Sequence, residues 1–175
     1  EFNKLMTILG DGHSVIYGPT DESAGTYINS VLPLKFYDFG DGLFIVNATT
    51  EYQDLIGSHV IRLGDISPEE AFDRLLEYRG VDNPMTIRWL GAEFYLRDLG
   101  PLQAIGASPD GQTQSMLIER QDGSTETIIL EGGNSTFPRK LRPPGNNLTN
   151  LPLYLQHVDA NYWFENLAEV DATYF

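Results

Sequence analysis

His13 is the residue whose type and setting first suggest chemistry. It lies in the run ILGDGHSVIY, residues 8–17, directly behind a Gly-Asp-Gly turn. An imidazole with its ordinary pKa of about 6.5 is neutral near pH 7 and still basic enough to accept a proton. Two interpretations follow from the residues alone: His13 is a general base, or it is a histidine packed beside a glycine turn.

The neighbours of His13 have simpler roles. Asp11 could orient the imidazole, but an aspartate two residues before a turn more directly caps that turn. Ser14 is not part of a G-x-S-x-G nucleophile elbow, so we interpret it as structural. His59 and His157 are far from His13 and from each other, and the chain has no cysteine. We therefore predict no metal site and no cofactor.

A second candidate site is a groove for a peptide. We predict that a strand and a helix line it, through Gly42, Leu43, Phe44, Ile45, Phe72 and Leu76. The alternative is that the helix residues are simply core, because a helix with one apolar face must first cover the interior.

Local signals place these residues on elements. Two pairs of short strands flank turns, residues 32–39 and 43–46 around Gly-Asp-Gly and residues 116–120 and 126–130 around Asp-Gly, so we predict two β-hairpins. Ser67-Pro-Glu-Glu is a capping box with proline at the first helical position, which predicts a helix over 68–79.

Weaker patterns complete the secondary structure. We predict a helix over 1–9 that ends at Gly10, strands at 59–63, 85–89 and 94–96, and a short helix over 99–105 that ends at Gly106.

Composition excludes several classes of function. The 175 residues carry 25 acidic and 11 basic side chains, a net charge of −14. Such a surface repels phosphate backbones and anionic headgroups, so we expect no nucleic-acid partner. No apolar run approaches the roughly 20 residues that cross a bilayer, so we expect no membrane insertion. Without cysteine there is no disulfide framework.

The middle of the chain resembles a PDZ domain. Residues 55–63 (LIGSHVIRL) and then 68–71 (PEEA) are similar to the PDZ run of glycine, apolar strand, turn and helix, although Ser58 stands where Gly-Asp is common. Residues 39–44 (FGDGLF) lie where a PDZ domain keeps its carboxylate-binding loop, and they also suit a plain Asp-Gly turn. The resemblance implies a small β-barrel or sandwich with one well-capped helix, and peptide binding at the edge of the 43–48 strand.

The ends of the chain resemble the C-terminal processing (tail-specific) protease family and its tricorn-like branch. The resemblance lies in residues 9–14 (LGDGHS) before the PDZ-like part and 161–167 (NYWFENL) after it. These are serine endopeptidases with a PDZ-like domain inserted near the start of an α/β protease domain. The tricorn-like branch takes its base from an N-terminal histidine, which implies that role for His13. The family's nucleophilic serine would lie beyond residue 175.

The resemblance implies an organisation that we state as an expectation. The fold is α+β, with a protease segment at 1–30, a PDZ-like domain at 31–131, a connector at 132–150 and the start of the protease core at 151–175. The partners are a peptide or protein substrate, recognised by its C-terminus, and the remainder of the chain's own protease domain. The location is extracellular, periplasmic or at the cell surface, and this piece alone is inactive.

Two other functions remain as alternatives. The chain is a non-catalytic peptide- or protein-binding module of a surface or secreted protein, or a small carbohydrate-binding β-module. The capped helix argues against the latter, which would be an all-β sandwich.

Overall fold

The computed structural model describes residues 2–14, 20–21, 26–27, 30–133 and 160–174. The chain divides into two compact units, Glu1–Phe137 and Pro138–Phe175. Among the described residues no helix is both long and apolar enough to cross a membrane.

One antiparallel sheet organises the first unit. It has five strands, and each strand lies next to its neighbour in the chain. The strands are β3 Leu34–Asp38, β4 Leu43–Ala48, β5 His59–Leu63, β6 Thr113–Glu119 and β7 Thr125–Glu131. Short helices accompany this sheet, which confirms the mixed α+β class.

The sheet is less closed than the resemblance implied. β3 and β7 are its edges, and the residues just before β3 and just after β7 meet in an isolated bridge. There Val31 and Gly133 exchange both backbone hydrogen bonds, at 3.0 and 2.9 Å. The strands therefore curl toward each other without the continuous ladder that closes a small barrel.

Both predicted hairpins are present. β3 and β4 join through a tight turn in which the Phe39 N–H donates to the Gly42 carbonyl at 3.0 Å. Gly40 has φ +87 and Gly123, in the β6–β7 turn, has φ +83. Glycine takes this left-handed conformation without steric cost, which is why the sequence predicts both turns.

The capped helix is confirmed, and it is shorter than predicted. α2 runs over Pro68–Leu75, and the Ser67 hydroxyl accepts a hydrogen bond from the Glu70 N–H at 3.1 Å. Residues 76–78 continue as turns rather than regular helix. α2 covers β5 with Ala71, Phe72 and Leu75.

The predicted strands at 85–89 and 94–96 are wrong. Pro84–Glu93 is a helix, α3, and Tyr95–Arg97 is a 3-10 turn. The Asn83 side chain accepts from the N–H groups of Met85 and Thr86, and Pro84 occupies the first helical position. These helix-start signals outweigh the alternation of Met85, Ile87 and Trp89, which had suggested a strand. Of these three side chains only Ile87 is buried.

The remaining elements frame the core and the ends. The predicted short helices are α1 Phe2–Thr7 and α4 Leu99–Ala104, and Gly10 and Gly106 follow them with positive φ. Two-residue strands β1 Thr20–Asp21 and β2 Thr26–Tyr27 pair with each other. The core lies between the sheet and α2, α3 and α4, and its largest fully buried side chains include Leu32, Leu34, Phe36, Leu43, Ile45, Leu63, Leu96, Leu99, Leu102, Met116, Ile118 and Leu130.

The second unit is described over residues 160–174. β8 Glu165–Leu167 and β9 Ala172–Tyr174 form a small antiparallel hairpin, joined by a 3-10 turn at Ala168–Val170. The Trp163 and Tyr174 rings lie 5.2 Å apart. Most of the predicted connector and residues 151–159 fall outside the described residues, so the predicted domain limits remain predictions.

Candidate functional site

The loop that carries His13 is folded around Asp11. The Asp11 carboxylate accepts from the His13 N–H at 3.0 Å and from the Ser14 hydroxyl at 2.6 Å. The hydrogen bond from Ser14, followed by that from the His13 backbone, holds the pKa of Asp11 below its ordinary value of 3.8. Asp11 is the turn cap that the sequence predicted, and the Ser14 hydroxyl has a structural partner.

This loop, residues 10–14, is held against the segment that follows α2. The Arg79 guanidinium donates to the Gly12 carbonyl at 2.5 Å, and the Gly12 N–H donates to Asp82 Oδ1 at 3.0 Å. Gly12 is buried, and a Cβ there would come within 2.5 Å of Asp82 Oδ2. Glycine at position 12 therefore permits the close approach of Asp82.

The imidazole of His13 is open to solvent and flanked by carboxylates. Its side chain is 91% exposed, and Nδ1 lies 3.5 Å from Asp11 Oδ1 and 3.8 Å from Asp82 Oδ2. Carboxylates beside Nδ1 favour the tautomer with its proton there, which leaves the Nε2 lone pair free to accept a proton.

Asp82 is the residue of this site that sequence reasoning missed. It is separated from Gly12 by 70 positions, and no motif connects the two. No local sequence signal marks Asp82, because Gly80, two positions earlier, fits a helix end, and only the structure shows that a Cβ there would come within 2.8 Å of the Asp11 carbonyl oxygen.

The same three side chains are the ones in the described part of the chain that could hold a metal ion. The ligand atoms of Asp11, His13 and Asp82 all lie within 4.8 Å of one another. Both carboxylates already accept hydrogen bonds from this loop, so its folding accounts for the cluster without an ion.

A separate pocket lies between the β3–β4 turn and the start of α2. Its volume is about 280 Å³. It is lined by Asp38, Gly40, Asp41, Gly42, Leu43, His59, Val60, Ile61, Ser67, Pro68, Glu69, Phe72 and Arg88. Among the predicted groove residues, Gly42, Leu43 and Phe72 line this pocket.

The other predicted groove residues lie elsewhere. Ile45 is fully buried in the core, and Leu76 is partly exposed in the turns after α2. Phe44 stacks on the His59 ring, with centroids 4.9 Å apart, and continues an exposed aromatic row through Phe39 to Tyr37.

The prediction that a peptide adds to the free edge of the 43–48 strand is wrong. β4 is an inner strand: it pairs with β3 on one side and with β5 on the other. Ile45 also donates to Ser58 O at 3.0 Å and accepts from Gly57 N–H at 2.8 Å. Local sequence shows that a strand exists, but the order of strands in the sheet is a long-range property.

An ion cluster closes one side of the pocket. Arg88 Nη1 donates to Asp38 Oδ2 at 2.6 Å, and Nη2 donates to Glu69. The guanidinium also lies over the Phe72 ring, 5.4 Å from its centroid. The hydrogen bonds with Asp38 and then Glu69 raise the pKa of Arg88 above its ordinary value. We call Asp38, Glu69 and Arg88 the Arg88 cluster.

Comparison with known proteins adds no relative to this description. No protein-family model, curated protein or solved structure matches the chain.

Proposed function

We propose that this chain is the N-terminal part of a serine endopeptidase of the tail-specific protease type. In this proposal His13 is the general base, the nucleophilic serine comes from a part of the protein outside these 175 residues, and residues 31–131 are a PDZ-like module that recognises peptide substrates. An extracellular, periplasmic or cell-surface location belongs to the same proposal.

The observation that carries the catalytic half is the setting of His13. The loop is fixed by Arg79 and Asp82, while the imidazole itself is open to solvent with carboxylates at Nδ1. A catalytic histidine needs this combination, because it must be oriented from one side and reach a reacting hydroxyl from the other.

The proton transfers follow from this orientation. Nε2 accepts the hydroxyl proton as the serine oxygen bonds to the substrate carbonyl carbon, and the imidazolium then gives that proton to the leaving amine as the peptide bond breaks. Water repeats the cycle on the acyl-enzyme, with Nε2 again taking and returning one proton.

Support for the recognition half comes from the pocket beside α2. It joins a glycine turn to the start of a capped helix, as expected of a PDZ-like groove, and three predicted groove residues line it. Because β4 is an inner strand, we propose that the substrate places a side chain in this pocket instead of adding a strand to β4.

The catalytic half is tested in the full-length protein that contains this chain. His13→Ala should lower kcat by roughly 10⁴-fold or more, the scale seen when a triad member is removed. Thr127→Ala is the control, because Thr127 is exposed on β7 and lies outside both the His13 loop and the pocket lining. Equal kcat for the two variants would refute the role of His13.

The second candidate function is a non-catalytic peptide-binding module. It is favoured by one observation: the pocket lies wholly within residues 38–88 and needs no group from elsewhere. If this candidate is correct, the full-length protein binds peptides in the pocket, cleaves none, and is unaffected by His13→Ala.

A further inference from the structure

The charges around the pocket beside α2 are unbalanced. Three carboxylates line it, those of Asp38, Asp41 and Glu69, against the single guanidinium of Arg88. The whole chain is acidic as well, with a net charge of −14. A ligand group that enters the pocket therefore meets a negative potential.

Arg88 is already engaged and cannot serve as the receptor for an anion. One nitrogen of its guanidinium binds Asp38, whose side chain is 9% exposed, and another binds Glu69. A ligand carboxylate would have to displace one of these partners. Displacing Asp38 would leave a buried carboxylate without its cation, which is strongly unfavourable.

Three of the backbone donors near the pocket are already occupied. In the β3–β4 turn the Gly40 N–H donates to Asp38 Oδ1 at 3.3 Å, and the Phe39 N–H donates to Gly42 O. At the start of α2 the Glu70 N–H donates to the Ser67 hydroxyl. Glu69 and Glu70 add negative charge to the first turn, where an anion would otherwise bind.

The walls of the pocket suit a long aliphatic stem that ends in a cation. Ile61 and Pro68 are half-buried and apolar, and the exposed carboxylates of Asp41 and Glu69 lie at the rim. Lysine and arginine side chains bind in this way, with methylenes along apolar surface and the charge held near water. About 280 Å³ is near the lower end of the size of ligand pockets, roughly 300 Å³, and fits one side chain rather than a folded motif.

We propose that this pocket accepts the lysine or arginine side chain of a bound peptide, and that it does not accept a C-terminal carboxylate. The inference rests on the proposed peptide recognition and narrows its substrate class. It departs from the family expectation that substrates are chosen by their C-termini.

Titration of the ¹⁵N-labelled chain with matched peptides tests the inference. Four versions of one host peptide are compared. Three have an acetylated N-terminus and an amidated C-terminus and carry lysine, norleucine or glutamate at the central position. The fourth carries norleucine there and has a free C-terminal carboxylate. We expect resonances of Gly42, Ile61 and Glu69 to shift, and the lysine peptide to bind on the order of 10-fold more tightly than the norleucine peptide. This preference should decrease between low and high salt.

Variants of the rim carboxylates assign the preference to this pocket. Asp41→Asn and Glu69→Gln should each weaken the binding of the lysine peptide by about 2- to 5-fold and leave the affinity for the norleucine peptide unchanged. Glu69→Gln also removes the ion pair between Glu69 and Arg88 and could disturb folding, so Asp41→Asn tests the same charge effect without loss of that pair. Asp73→Asn is the matched control, because it removes one charge from the exposed side of the same helix, outside the pocket.

The outcomes separate the inference from the proposed function. If none of the peptides binds, the recognition half of the proposed function fails, and the inference with it. If peptides bind with equal affinity, or the free carboxylate or glutamate version binds best, recognition stands and the inference is overturned.

Discussion

Two charged regions of the first unit differ in what their surroundings allow. In the Arg88 cluster the Asp38 side chain is 9% exposed and the Arg88 side chain is 29% exposed. The two side chains form an ion pair with an N–O distance of 2.6 Å. In the His13 loop the imidazole is 91% exposed, and its contacts to Asp11 and Asp82 are 3.5 and 3.8 Å long.

This difference teaches which charges are structural and which are available for chemistry. A cation that is paired with a buried carboxylate contributes to packing and to the local potential, and it cannot change partners without a large cost. A solvent-exposed imidazole whose nearest carboxylate oxygens are 3.5 and 3.8 Å away can accept a proton and meet another molecule. Exposure and unused bonding capacity, rather than charge itself, separate the two regions.

The largest expected contrast is in stability. Arg88→Met removes the cation from the buried Asp38 carboxylate and should lower the free energy of unfolding by about 2–3 kcal/mol. His13→Ala changes a side chain that is almost fully exposed, so it should alter that free energy by less than about 0.5 kcal/mol. Urea unfolding of the two variants measures both values. Similar losses of unfolding free energy in both variants would contradict the distinction between the two regions.

The next contrast concerns Asp82 as a positioning residue. In the full-length protein, Asp82→Asn keeps an acceptor for the Gly12 N–H but removes the charge near His13 Nδ1. We expect kcat to fall on the order of 10-fold with KM unchanged, far less than for a buried triad aspartate, because Asp82 is half-exposed. A change in KM alone would assign Asp82 to substrate binding instead.

Gly12 provides a geometric test of the same contact. Gly12→Ala places a methyl group 2.5 Å from Asp82 Oδ2, so the Asp82 side chain must move and its hydrogen bond to the loop weakens. The expected cost is about 1 kcal/mol of the free energy of unfolding, with shifted His13 resonances. Gly133→Ala is the control, since a Cβ there meets nothing within 4 Å. It should be neutral, and an equal loss in both variants would count against the packed loop.

The smallest expected effect is the acid response of the His13 loop. The folded-state pKa of Asp11 lies below its ordinary value of 3.8, so ionised Asp11 favours the folded loop. This contribution is complete above pH 3.8 and is lost as the pH falls through the lower, folded-state pKa. In the His13→Ala variant, where no imidazole adjoins the reporter, the Ser14 amide resonance should therefore keep its native position down to pH 3.8 and move only in stronger acid. Movement already between pH 6 and 5 would contradict the Asp11 cap.

Short-range signals explain how much of the fold the sequence predicted. The Asp-Gly turn at 122–123 and the cap at Ser67 act within a few residues, and the hairpin and helix they specify are present. Residues 85–89 were misassigned because alternation of apolar residues fits a strand as well as part of a helix. Asn83-Pro84 was the stronger signal, since it specifies where a helix begins.

The candidate sites depended on contacts that no local pattern contains. Asp82 reaches Gly12 across 70 positions, and Arg88 reaches Asp38 across 50. The inner position of β4 likewise depends on its pairing with β5 after an intervening 3-10 helix, Thr50–Leu55. The sequence could therefore nominate His13 and Phe72, but it could not identify the charged groups that surround them.

The most direct test of the central claim is chemical rescue of the His13→Ala variant of the full-length protein. Because the imidazole is exposed, added imidazole can reach the vacated position and act as the base. We predict that this variant is nearly inactive and regains peptidase activity in proportion to the concentration of unprotonated imidazole. A variant that cleaves peptides at the wild-type rate without added imidazole would contradict the account.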